Sequence, residues 1–351
     1  MRLGGWTGIA LLAACSGEPS PRPDFPTPVS WTVESSARLD ERFLPDGSPW
    51  RGGDAIYSVS LAPDRTLWLF GDSFIAKPGV AARAGSKMVR NSLAIDTGGR
   101  ALDFYWGSDR GAPADALPSP WAGDWLWPLS GLRVGPRLHL FLTRIRAKGG
   151  GAFGFETVST HLATVPNPED PPGLWRPEFK DVPPSLGTAS VLRGGFAYLY
   201  GIEPDRKARV CRVEESRVDD PAAWTWWDGQ GWSPKAAAAV PLFSGAATEM
   251  SVSPFQDGFA AVTSAPHLSP DIQVRTAPRP EGPWSLPVTV FTCPESGWKK
   301  GYFCYAAKAH PELDRGGRSL VISYACNSMS FADAVGDLRI YRPRFIVATP
   351  R

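Results

Sequence analysis

Histidine is scarce: 351 residues hold four, alongside five cysteines and four methionines. No CxxC pair and no cluster of histidines occurs, so neither zinc nor any other resident metal or cofactor is expected. Charge is nearly balanced as well. The 37 Lys+Arg against 35 Asp+Glu leave a net charge of +2, with the arginines scattered. That gives no basic footprint for nucleic acid and no global pull toward an anionic surface. Long apolar patterns with a period of 3.6 residues are also missing, which argues against a helical bundle.

Turn formers and aromatics are plentiful instead. Gly and Pro number 36 each, Trp numbers 15, and 43% of the chain is hydrophobic. A chain of this kind can bury a sizeable core while turning often, and it reads as all-β. The organising stretch is Gly53-Asp54-Ala55-Ile56-Tyr57-Ser58-Val59-Ser60-Leu61 followed by Thr66-Leu67-Trp68-Leu69-Phe70-Gly71-Asp72-Ser73-Phe74. Two apolar, β-branched and aromatic runs flank Ala62-Pro63-Asp64-Arg65, which is the pattern of a β-hairpin. In an antiparallel hairpin the start of one strand lies beside the end of the next, so Asp54 and Asp72 are expected at one end.

The hairpin recurs. Strand pairs are expected from positions 54, 125, 188, 249 and 306, with turns at Gly135-Pro136, Gly194-Gly195, Asp257-Gly258 and Gly316-Gly317. Each pair is followed by two further short strands, for example Arg90–Asp96 and Leu102–Trp106 after the first, or Ile272–Thr276 and Gly282-Pro283-Trp284-Ser285 in the fourth. The repeat predicts a five-bladed β-propeller of four-stranded blades over residues 31–351. A β-sandwich is the competing arrangement. Thr32–Leu39 is expected to pair with the last blade and close the ring, which removes exposed edges.

Residues 1–14 carry Arg2 and the apolar core Ile9-Ala10-Leu11-Leu12, the layout of an export signal too short to span a bilayer. Leu12-Ala13-Ala14-Cys15 resembles the bacterial lipobox. The resemblance implies that Cys15 is a lipid anchor, residues 15–30 a flexible tether, and the protein a lipoprotein of the outer membrane or cell surface. An ordinary signal peptide with an incidental cysteine is the alternative. Four cysteines remain. Cys293 and Cys304 flank a Gly/Lys-rich loop and are expected to pair, which leaves Cys211 with Cys326 by elimination.

In a propeller the starts of the first strands and the ends of the second strands meet at one mouth. Asp54, Asp72, Trp125, Glu249, Lys308, His310 and Asn327 fall at those positions, with Arg90 and Asn91 on a third strand beside Asp72. Paired carboxylates suit glycoside cleavage, one as acid and one as nucleophile or base, and crowding drives their pKa values apart. A structural role stands beside each: Asp54 ending a loop, Asp72 filling a turn, Glu249 capping a strand, Arg90 pairing with Asp72, His310 packed in the core.

Gly53-Asp54-Ala55-Ile56-Tyr57-Ser58, Leu67-Trp68-Leu69-Phe70-Gly71-Asp72-Ser73-Phe74 and Arg90-Asn91-Ser92 resemble the opening of an exported bacterial five-bladed propeller family. It was long catalogued as a domain of unknown function, and some members are endo-D-arabinanases. Trp226-Trp227-Asp228-Gly229, Gly282-Pro283-Trp284 and Ala307-Lys308-Ala309-His310-Pro311-Glu312-Leu313 extend the likeness to the C-terminus. The resemblance implies catalytic acids at Asp54 and Asp72. The expectation is therefore a monomeric glycoside hydrolase acting on a furanose-rich polysaccharide. Glu249 is the third acid, and Arg90, Asn91, Trp125, Lys308, His310 and Asn327 hold substrate. A non-catalytic carbohydrate-binding or scaffold propeller is the rival, and a hydrolase with a bound cation a third possibility.

Overall fold

The computed structural model describes residues 30–351 except 45, 46, 100, 152 and 315. The export signal, Cys15 and all but the end of the tether lie outside the described residues.

Five antiparallel sheets dominate. The first takes Tyr57–Ala62, Arg65–Phe70, Ser92–Asp96 and Asp103–Tyr105, and the second Asp124–Val134, Arg137–Ala147, Phe155–Val165 and Glu178–Val182. The third begins Leu186–Arg193, Phe196–Ile202 and Lys207–Glu214, and the fourth Met250–Phe255, Gly258–Ser264, Asp271–Ala277 and Val288–Thr292. In the fifth, Tyr302–Ala309, Leu320–Ser328 and Arg344–Pro350 are joined by Trp31–Ser35 from the other end of the chain. Trp31 faces Pro350 and Ser35 faces Ile346 in that pairing. Short strands follow from β-branched and aromatic runs broken every few residues by Gly, Pro or Asp.

Apolar side chains fill the spaces between sheets. Leu69 and Leu140 meet between the first and second, Phe141 and Leu199 between the second and third. Tyr200 and Phe259 meet between the third and fourth, and Val262 and Ile322 between the fourth and fifth. Trp68, Phe70 and Phe345 then join the fifth sheet to the first. A cavity of about 730 Å³ runs between the innermost strands, and residues from the first strand of every sheet line it. Pro63 and Gly135 line it at the hairpin turns, with Tyr57 at the start of its strand and Lys308 near the end of its own.

Several details depart from expectation. The third sheet is larger than four strands, because Thr225–Trp227 is followed by Trp232–Ser233, and Phe243–Ser244 pairs with the third strand. Gly282-Pro283-Trp284-Ser285 is not a strand: Pro283 has no N–H to offer a ladder, and the fourth sheet is completed by Val288–Thr292. The strand that pairs with the last sheet is Trp31–Ser35 alone, since residues Ala37–Arg42 form a short helix.

The expected Cys293–Cys304 bridge is replaced by Cys304–Cys326, while Cys293 and Cys211 are free and buried. The reason is register. Cys304 and Cys326 lie directly opposite each other on neighbouring strands, with Cα atoms 4.0 Å apart. Peptide mapping under non-reducing conditions should recover Cys304 joined to Cys326, with Cys293 alkylated only after denaturation. Reduction should lower Tm, since opening a cross-link of this loop length costs about 3 kcal/mol. A peptide joining Cys293 to Cys304 would contradict the register.

Candidate active site

Asp54 does not open a strand, as its sequence setting had suggested. Trp50–Gly53 belongs to a separate small sheet with Ser73–Ile75, so the chain must turn between Gly53 and Tyr57 to enter the first large sheet. It does so with Ala55 and Ile56 at φ of 65° and 58°. The Asp54 carbonyl accepts hydrogen bonds from the N–H of Ile56 at 2.9 Å and of Gly71 at 3.0 Å. That second bond ties the kink to the Phe70-Gly71-Asp72 turn and sets the two aspartates side by side. Gly71 is required there, because a Cβ would fall 2.5 Å from Asp54 Oδ1.

Each carboxylate has its own partners. Tyr305 donates its hydroxyl to Asp54 Oδ2 at 2.6 Å, and Tyr341 Oη lies 3.4 Å from the same oxygen and 3.2 Å from the Asp72 carbonyl. Asp72 is gripped from both sides: Arg90 reaches Oδ2 at 3.0 Å and Trp127 Nε1 donates to Oδ1 at 2.9 Å. The Arg90 guanidinium also lies over the Trp125 ring, 4.3 Å from its centroid. The Arg90 N–H is held by Asp115 at 2.7 Å.

These surroundings separate the two acids. Burial, and then the neighbouring Asp72, push Asp54 up to about 7, against the pull of the Tyr305 hydrogen bond. Burial raises Asp72 too, with Arg90 and Trp127 opposing the rise. Asp54, bonded by phenols and raised further by Asp72, is thus placed to carry a proton, and Asp72, paired with Arg90, to carry charge.

One layer deeper, Lys308 Nζ donates to Glu249 Oε2 at 2.5 Å and to the Ala306 carbonyl at 2.8 Å, over the Tyr57 ring. Burial lowers Lys308 and Glu249 counters it. The pair lies near enough to act on Asp54, with Glu249 raising it and Lys308 lowering it. Lys308 is buried and fully engaged, so it is a partner of Glu249 and not the substrate-orienting group expected.

His310 and Asn91 also lose that role. His310 is buried, its ring nitrogens bonded to Ser58 at 2.7 Å and Ser323 at 2.6 Å, and burial pushes it down to about 3. Asn91 has no exposed surface and spends its amide on the backbone of Leu117 and Leu126, pinning the loop that follows the first sheet. Asn327 stands at the edge, its amide nitrogen 3.5 Å from the Tyr305 hydroxyl. The structure therefore brings together Asp54, Asp72, Glu249, Arg90, Trp125 and Asn327.

Sequence reasoning missed Tyr305, Tyr341 and Trp127, the donors that complete the site. Trp127 was legible: two residues after Trp125, it shares that strand face. Tyr341 follows no strand pattern and is placed by a buried cation. Arg83, 1% exposed, donates to the carbonyls of Arg51, Ala334, Asp337, Ile340 and Tyr341. It binds the segment leading to Asp54 to the one ending in Tyr341. Gly52, at φ 127°, lets them touch, since a Cβ would meet the Tyr341 carbonyl at 2.1 Å. Among the described residues, four of the ten non-glycine residues at positive φ surround the acids: Ala55, Ile56, Ala306 and Tyr341. Such conformations cost of order 1–3 kcal/mol each and persist where surrounding contacts impose them.

A family model described as a domain of unknown function, DUF5005, matches residues 40–349. No curated protein matches the sequence. Among solved structures, the chain is similar to a Bacteroides ovatus protein labelled a hydrolase, with TM-score 0.76 at 20% identity over 91% of this chain and 90% of that one. It is also similar to the GH43_1 enzyme from Xanthomonas citri complexed with xylotriose, with TM-score 0.50 at 15% identity over 91% of this chain and 90% of that one. Both are likenesses of fold, and the fold is that of an all-β propeller.

The site also sets a stability test. The ordinary value of an aspartate is 3.8, and Asp54 is raised to about 7. Between those values the unfolded chain ionises first, so stability falls as pH rises through the window and stays lowered above it. Asp54→Asn removes that loss. Its Tm should exceed that of the wild type by a margin that widens from pH 4 to pH 8, measured by calorimetry. A margin independent of pH would refute the raised carboxyl.

Proposed function

The chain belongs to the DUF5005 family, a description that names no activity, and from the site we propose that it is a glycoside hydrolase. The observation that carries this reading is the asymmetry of two adjacent carboxyls: Asp54, uncharged until about pH 7, beside Asp72, held between Arg90 and Trp127. Glycoside cleavage needs that combination. Asp54 gives its proton to the leaving oxygen, and the Asp72 anion stabilises the positive charge that develops at the anomeric carbon, as nucleophile or as base. Tyr305 and Tyr341 hold Asp54 and stabilise the carboxylate it becomes. Glu249 and Lys308 adjust the titration of Asp54 in opposite senses, the first raising it and the second lowering it. Arg90 and Trp125 meet the sugar.

The rest of the reading follows the same line. The five sheets, cored pairwise with the fifth packed on the first, are read as five blades of one propeller spanning residues 31–351. The substrate class is a furanose-rich polysaccharide, cleaved in the manner of an endo-D-arabinanase. This rests on the motif around Asp54 and Asp72 and on the resemblance it carries. The likeness of Leu12-Ala13-Ala14-Cys15 to a lipobox supports export and lipid anchoring at the cell envelope, and the protein is read as a monomer.

Purified protein is to be incubated with arabinan, galactan and xylan panels and product release measured. Asp54→Asn and Asp72→Asn should each lose about a hundredfold or more in rate, the size of an acid–base or nucleophilic contribution. The wild-type rate should fall as pH rises past about 7, where Asp54 gives up its proton. Full activity in both variants, or binding with no hydrolysis on any panel, would end the assignment.

A further inference from the structure

Phe153 is hard to account for by folding. It lies in the run Lys148-Gly149-Gly150-Gly151-Ala152-Phe153-Gly154-Phe155, the connection between the second and third strands of the second sheet. The connection is folded tightly on itself: Lys148 N–H donates to the Gly154 carbonyl at 2.9 Å, and Gly154 N–H to that of Gly151 at 3.1 Å. Its tip carries a phenylalanine that is 55% exposed. A singly exposed apolar side chain is ordinary on a protein surface, and what sets Phe153 apart is the company it keeps.

The contacts say what surface it belongs to. Phe153 lies across from the fifth sheet, its ring centroid 6.2 Å from that of Phe303. Phe303 neighbours Tyr305 at 5.5 Å, and Tyr305 donates to Asp54. Phe155, at the base of the same connection, meets Trp127 edge-on at 4.6 Å, and Trp127 donates to Asp72. One connection thus reaches, through one aromatic chain on each side, the donor of each carboxylate. Lys148 is paired with Glu156 at 2.7 Å, so the connection presents an apolar ring and no unpaired charge.

We propose that Phe153 is a sugar-stacking residue, forming a subsite for the glycan unit next to the one cleaved between Asp54 and Asp72. The C–H face of a furanose or pyranose ring is apolar and stacks on an aromatic face. The substrate is accordingly a glycan engaged over at least two consecutive units, and not a single terminal sugar. This inference rests on the hydrolase reading and narrows it.

The test uses the full chain with Asp72→Asn, titrated by calorimetry with α-arabinofuranosyl mono-, di-, tri- and tetrasaccharides, and with the galactan and xylan series. Affinity should step up when the second or third unit is added. Adding Phe153→Ala should erase that step, a loss of about three- to tenfold set by one aromatic contact, with monosaccharide binding unchanged. Phe153→Tyr should restore it. In the active protein, Phe153→Ala should raise KM for long substrates and leave kcat nearly unchanged. If length dependence survives Phe153→Ala while the wild type hydrolyses a glycan, the subsite is wrong and the hydrolase reading stands. If the wild type hydrolyses none and no oligosaccharide binds, both fall together. An unchanged Tm for Phe153→Ala shows that the loss is not one of folding.

Discussion

Burying Asp54 beside Asp72 is the constraint around which the molecule is arranged. A carboxylate taken from water without a cation against it has no cheap ionised state, and a second carboxylate nearby makes it costlier. Arg90 goes to Asp72, and Lys308 is spent on Glu249. Asp54 is left with two phenols, which bond it without neutralising it. The outcome is a carboxyl raised to about 7 beside a second one paired with a cation.

Keeping that arrangement takes rigid surroundings, and the fold provides them in unequal parts. The inner strands and the segments leading into them bring Asp54, Trp127, Glu249 and Tyr305 from four of the sheets together, an effect of topology that no local interaction could produce. Finer placement comes from strained turns. Ile56, a β-branched residue at positive φ, is kept there by complete burial among Trp68, Phe70 and Trp50. Tyr341 is kept by Arg83, a cation that donates to backbone carbonyls and lies over the Phe74 ring. Strain and desolvation lower stability at the same few residues, which is the usual bargain at a reactive site.

Much of this was legible in the chain. Alternating apolar runs with turns between them mark nearly every inner hairpin, because strand period and turn chemistry are local properties. Asp54 and Asp72 were legible because a hairpin joins its own ends. What escaped notice depends on neighbours distant in sequence. Asn91 and His310 look like polar residues near a mouth, and only the packed structure shows both buried with their polar atoms engaged. The disulfide follows strand register, which loop composition does not reveal. Tyr341 sits on an irregular segment, and an arginine more than two hundred residues earlier fixes its position.

The pairing of Trp31–Ser35 with Arg344–Pro350 has a consequence for how the molecule comes into being. The seam joins residues more than three hundred positions apart, so a growing polypeptide cannot seal it until residues 344–350 have left the ribosome. Until then the sheets formed early have an open flank. Sealing is accordingly a late event, with the opening segment waiting through the synthesis of everything it will eventually lock.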